Sequence, residues 1–196
     1  MKRAALVALA GVVLALVVGA ATVTLVTRWQ RLAAPARPEP PAMSAATTTA
    51  PKIRARLFYV AEDGMRLMAV EREVPLGATP IEQARLLVTE QLAAAPPPLV
   101  QAIPEATALR ALFLTERGEA FVDLSREVRS RHPGGSLDEL FTVYAIVNVL
   151  TVNLPAVTKV QILVDGKEVD TLAGHIDLRE PLARNLRWVE EPASRP

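Results

Sequence analysis

The spacing of hydrophobic positions changes several times along the chain, and each change marks an element. Residues 4–27 carry no charge and are broken only by Gly11, Gly19 and three threonines. At about 1.5 Å per residue such a helix exceeds the ~30 Å hydrocarbon core of a bilayer. Lys2 and Arg3 precede the run, and Arg28, Trp29 and Arg31 follow it, with Trp29 placed as an interfacial anchor. A cleaved signal peptide has an apolar region of only ~7–15 residues. Here the run is longer, and its small residues Gly19-Ala20-Ala21 lie inside it. The pattern therefore predicts a retained transmembrane helix. A short positive amino terminus before a long domain favours the amino terminus inside and the domain outside.

From Arg28 to Pro51 the pattern disappears. Pro35, Pro38, Pro40, Pro41 and Pro51 interrupt an Ala/Ser/Thr tract, which reads as an extended tether. Residues 53–60 alternate over their first half and have strand composition throughout, followed by the turn signal Asp63-Gly64 and a second strand from Arg66 to Val74. Thr79-Pro80-Ile81-Glu82 has the N-cap, N1 proline and N3 glutamate of a helix start. That helix runs to about Ala94, before Pro96-Pro97-Pro98. A second hairpin follows over 108–125, turning at Glu116-Arg117-Gly118. Next, Ser136-Leu137-Asp138-Glu139 predicts another capping box for a helix ending near Leu154-Pro155. Residues 157–164, Asp165-Gly166 and 168–172 form a third hairpin.

The order is ββαββαββ, an α+β domain with two helices packed on a mostly antiparallel or mixed sheet. Short connections between paired strands argue against a parallel doubly wound fold. The expected divisions are 1–27 for a cytoplasmic stub and anchor and 28–51 for the linker. They continue with 52–182 for the α+β domain and 183–196 for a loosely ordered tail.

Composition narrows the chemistry. The chain is 51% hydrophobic, and 20 of its hydrophobic residues lie in residues 1–27, leaving an ordinary soluble composition behind the anchor. Twenty-two Lys and Arg balance 21 Asp and Glu, which offers no electrostatic footprint for nucleic acid. The absence of cysteine excludes disulfides, thiolate metal sites, a cysteine nucleophile and a lipidated cysteine.

His132 and His175 are the only histidines and lack the spacing of a zinc pair. They read as a loop residue and a strand-end residue. No Gly-x-Ser-x-Gly elbow is present, so Ser136 reads as an N-cap. Gly134-Gly135 matches neither the Walker pattern nor Gly-x-Gly-x-x-Gly, and reads as a turn. Glu62-Asp63, Glu71/Glu73 and Asp138-Glu139 read as turn, sheet-surface and helix-first-turn carboxylates. Arg126, Arg129 and Arg131 form a small basic cluster, a candidate surface contact for an acidic partner, glycan-attached acids or anionic lipid. No catalytic signature, cofactor motif or small-molecule substrate emerges.

Several segments between Val60 and Leu182 resemble the GerM-type (GerMN) domain of sporulation and spore germination. They are Phe121-Val122-Asp123-Leu124-Ser125; Gly134-Gly135-Ser136 with Glu139; Val143 through Thr151; Lys159 through Gly166; and Thr171 through Leu178. The resemblance marks Gly134, Gly135, Ser136, Glu139, Asn148, Gly174 and His175 as motif residues of structural character. Asn148, on an apolar helix face, is expected to bond a neighbouring loop, and His175 to cap the sheet edge. The resemblance implies a non-enzymatic, extracytoplasmic module tethered to the inner membrane of a bacterial cell. Its partner would be an envelope protein or a second copy of itself, with exposed hairpin edges as the means of association. Binding of cell-wall glycan or anionic lipid is the alternative, and an envelope hydrolase the more remote one. Family members often carry a lipoprotein cysteine and two tandem domains; this chain has neither.

Overall fold

The computed structural model describes Arg28 and residues 51–190, and the expected transmembrane helix lies outside these residues. Among them, no helix is long and apolar enough to cross a membrane.

The first hairpin pairs β1 (Lys52–Val60) with β2 (Leu67–Pro75) in an unbroken antiparallel register from Lys52↔Pro75 to Val60↔Leu67. Its alternation puts Ala55, Leu57 and Tyr59 inside and Lys52, Arg54 and Arg56 outside. On the outer face Lys52 meets Glu73 at 3.1 Å and Arg54 meets Glu71 at 3.9 Å. Exposed pairs of this kind contribute little to stability, and they agree with the sheet-surface reading of those glutamates.

Helix α1 (Pro80–Leu92) starts as its sequence predicts. The Thr79 hydroxyl accepts the Glu82 N–H at 3.2 Å, and Pro80 occupies the first turn, where its missing N–H has no cost. The Glu82 carboxylate reaches back one residue further than a reciprocal capping box, to the Ala78 N–H at 2.8 Å.

The second hairpin, β3 (Leu109–Leu114) with β4 (Glu119–Leu124), turns at Gly118. Gly118 has φ +82°, and a Cβ there would lie 2.6 Å from the Ala156 carbonyl oxygen. Its own carbonyl accepts the Thr158 N–H at 2.8 Å. The turn is thus docked by backbone onto the approach to the next strand. Gly118→Ala should therefore cost about 2 kcal/mol or more, read as a lower urea midpoint. An unchanged midpoint would refute the docking.

After a short helix α2 (Glu127–Ser130), absent from the sequence expectation, comes α3 (Ser136–Asn153). The chain then crosses into β5 (Lys159–Val164), which lies parallel to β4, with Glu119↔Lys159 through Leu124↔Val164. A parallel pair requires such a crossover. The remaining strands are β6 (Lys167–Glu168), β7 (Leu182–Ala183) and β8 (Val189–Glu190).

The fold is α+β as expected, but the strands divide into two sheets rather than one. One has the order β1-β2-β8; the other has β3-β4-β5-β6, with β7 also on β5. The third hairpin is shorter than the predicted 168–172 return strand, because the backbone N–H groups of 172, 173 and 175 bond elsewhere. The expectation of a loose tail from 183 is corrected for residues 183–190, which complete β7, supply β8 and bond Asn148 through Asn185.

Helix α3 packs against β1, α1, β5 and β7. Phe141, Val143, Ala145, Ile146, Val147, Val149 and Leu150 are all fully buried, so the helix is apolar nearly all round rather than along one stripe. Each of these other than Ala145 contributes about 1.5–3 kcal/mol of transfer free energy. Half-buried Tyr144 packs at the margin of this core.

Candidate functional site

Six of the seven motif residues, all but Asn148, converge at the start of α3, in an arrangement different from the predicted cap. Gly135, at φ +88°, is the N-cap, and Ser136 is the first helical residue with no side-chain capping bond. The expected Ser136–Glu139 capping box is therefore corrected. Backbone geometry that only glycine adopts freely moves the cap back one position. This frees the Glu139 side chain to point inward, where it is 0% exposed, against the expectation of an exposed first-turn carboxylate.

Four donors surround Glu139. Oε1 accepts the Leu172 N–H at 2.7 Å and the Ala173 N–H at 2.8 Å; Oε2 accepts the His175 N–H at 2.7 Å and lies 3.1 Å from His175 Nδ1. Burial pushes this carboxyl up, but the three backbone donors and His175 outweigh it and hold it below the usual carboxylate range. His175 does not cap a sheet edge as expected. It sits in the loop after β6 as one of the donors to Glu139, and the Gly174 N–H bonds Thr171 Oγ1 at 2.9 Å to shape that loop.

His132 forms a second node on the same helix end. Its Nδ1 accepts the Gly134 N–H at 3.0 Å, which leaves the proton on Nε2, 3.3 Å from Thr142 Oγ1. Thr142 in turn donates to the Ala102 carbonyl at 2.6 Å. The relay needs a neutral imidazole, and burial holds its pKa below the usual value, with Glu139 and Asp138 pulling the other way.

Both His132 and Glu139 have depressed pKa values in the folded chain, so each adds stability above its unfolded value that is lost on acidification. Stability should decline as pH falls below about 6.5, through His132, and again below about 4.3, through Glu139. His132→Gln should remove the upper limb of that profile in urea titrations. A profile of wild-type shape would refute the assignment.

Asn148 behaves as expected. From a buried helix face its Nδ2 donates to the Asn185 carbonyl at 2.8 Å, and its Oδ1 accepts the Asn185 N–H at 3.0 Å. Gln161 makes a similar clamp, donating to the Leu178 carbonyl at 2.6 Å. Every buried side-chain N or O among the described residues has a hydrogen-bond partner.

The sheet edges, expected to be open, are partly closed. The backbone of β1 faces away from β2 at residues 56, 58 and 60, and each position is bonded in both directions. Asn153 accepts the Arg56 N–H and donates to its carbonyl, both at 2.8 Å. Gln91 does the same to Phe58 at 2.8 and 2.7 Å. Val100 pairs with Val60 at 2.8 and 2.9 Å. On β3, Arg85 donates to the Leu112 carbonyl at 3.2 Å, while Phe113 stands 56% exposed beside it. Gln91 and Asn153 were not singled out by sequence. Their only signal is an amide near the end of a helix, on a largely apolar helix for Asn153 and among other polar residues for Gln91.

The basic cluster separates. Arg126 and Arg129 line a cleft of about 650 Å³ between α2 and the β5–β6 turn, together with Ser130, Val164, Asp165, Lys167, Glu168, Val169 and Leu172. Arg131 is exposed outside that lining. Among the described residues no three His, Asp or Glu side chains are arranged to hold a metal ion.

The fold and its nodes define an α+β module in which the motif carboxylate, imidazole and amides bind loops of the same chain. The Germane family of sporulation and spore germination matches residues 56–170, and the chain belongs to it. The first GerMN domain of the sporulation protein GerM from Bacillus subtilis has a similar structure, with TM-score 0.53 and 19% identity over 67% of this chain and 98% of that one. The tandem GerMN domains of the same protein match with TM-score 0.54 and 20% identity, over 68% of this chain and 46% of theirs. A candidate lipoprotein from Clostridium perfringens matches with TM-score 0.48 and 21% identity, over 67% and 87%. No curated protein matches the sequence.

Proposed function

We propose that this chain is a non-enzymatic, membrane-tethered module that makes protein–protein contacts on the outer side of the bacterial cytoplasmic membrane. The observation that carries this reading is the occupation of the motif residues. Glu139, His175 and Asn148 satisfy one another or nearby backbone, and their chemistry goes into holding loops. Membership in a family of sporulation and spore germination supports a role in assembly at the envelope. The uncharged run at 4–27 and the proline-rich stretch after it supply an anchor and a spacer. Association through sheet edges is confined in this reading to stretches other than β1 residues 56–60.

Protease added to intact spheroplasts tests the location. Digestion of the domain from outside is the expected result, and full protection until lysis would overturn it. Light scattering on the full chain in nanodiscs tests self-association, with a concentration-dependent rise in mass expected if the partner is a second copy.

A further inference from the structure

The cleft between α2 and the β5–β6 turn is built for more than solvent. Its lining carries three cations, Arg126, Arg129 and Lys167, over the apolar side chains Val164, Val169 and Leu172. Two carboxylates also line it, but Asp165 is already engaged by Arg110 at 2.7 Å, and Arg110 also holds Asp123 at 3.2 Å. Arg126 has only a loose contact with Glu127 at 3.8 Å, and its side chain is 75% exposed. Arg129 and Lys167 form no ion pair among the described residues. The Arg129 Nε–H reaches the Leu172 carbonyl at 3.4 Å, which leaves its outer guanidinium nitrogens free. The Leu172 N–H is fixed in turn by Glu139. The floor and one cation are thus positioned before any ligand arrives, which lowers the ordering cost of binding.

We propose that this cleft receives an acidic segment of a partner protein, with a carboxylate between the cations and an adjacent apolar side chain on the Val164–Val169–Leu172 floor. Arginine is the side chain suited to forked recognition of a carboxylate. Glu168 on the same lining argues for a peptide over a phosphate-rich surface. It repels a dense anionic field, but it can accept a peptide N–H. The proposal rests on the reading of the chain as a protein-binding module and names the surface and the chemistry of the partner.

The test uses the full chain in phosphatidylcholine nanodiscs and a fluorescein-labelled peptide, acetyl-Leu-Glu-Val-Asp-Leu-Glu, read by anisotropy. Its counterpart carries lysine at the three acidic positions. Saturable binding of the acidic peptide alone is expected, weakening with salt. Arg126→Glu and Lys167→Glu should each reduce affinity roughly ten-fold. Arg117→Glu, on the exposed turn of the second hairpin, should change it by no more than about two-fold. Lys167 makes no hydrogen bond or ion pair through its side chain, so its variant keeps the fold if Arg126→Glu does not. Equal binding of the lysine peptide, or unchanged affinity in Lys167→Glu, would overturn the proposal. So would retention on phosphatidylglycerol vesicles or cell-wall sacculi, lost in the same variants, with no binding of the acidic peptide. In those cases the spheroplast and light-scattering results would still decide the broader reading on their own.

Discussion

Glu139→Ala should lower the stability of the domain by about 3–5 kcal/mol, several times the cost of losing an exposed helix cap. The carboxylate is fully buried and accepts three backbone N–H groups as well as facing His175 Nδ1. Truncation leaves those donors without their acceptor, one of them buried and two half-buried, and each buried donor costs about 1–3 kcal/mol when unmet. Part of the loss is recovered if water enters or the 172–175 loop detaches. Glu139→Gln keeps the size and one acceptor oxygen, so it should fall between alanine and wild type. Urea unfolding of residues 51–196, followed by far-UV circular dichroism, measures both. A cost below about 1 kcal/mol for alanine would mean that the loop is held by something other than this side chain.

The second large effect is expected at Gln91. Both ends of its buried amide bond the Phe58 backbone, so Gln91→Ala orphans an N–H and a C=O on a strand facing away from its partner. A loss of about 2–4 kcal/mol follows, and a further consequence is more telling. With Asn153→Ala added, Arg56 also loses its two amide bonds, and β1 presents consecutive outward groups to another chain. The double variant should associate with rising concentration in light scattering, beyond wild type. A folded double variant whose mass does not exceed that of wild type would show that the two amides do not guard the edge.

What the sequence reveals follows the range of the interaction. The Asp63-Gly64 turn, the Thr79 start of α1 and the proline stop after it depend on neighbours within a few positions, and all three are readable. Glu139 is the opposite case. The Ser-x-x-Glu spacing before an apolar run signals a cap, but Gly135 takes that position, and the donors that claim the carboxylate lie 33–36 positions downstream. Asn148 is intermediate: its place on an apolar face implies a buried bond, while the identity of Asn185 depends on the path of the chain. The division into two sheets rests on β7 and β8, each two residues long, too short to leave a periodic trace. The Arg126–Arg129 pairing depends on α2, a single turn with no side-chain cap, and its partner cation Lys167 arrives from another hairpin.

Because α3 touches β1 of one sheet and β5 of the other, neither sheet has a core of its own. The buried side chains of both sheets and of α3 belong to one core cluster, so pulling either sheet away opens that core. Cooperative units in proteins follow such shared packing. The domain should therefore come apart in a single transition, and the amides of α3 should be among the last to exchange with deuterium, released only by global opening. In the proposed tethered arrangement, a force transmitted through the linker would meet one mechanical unit instead of two that yield in turn.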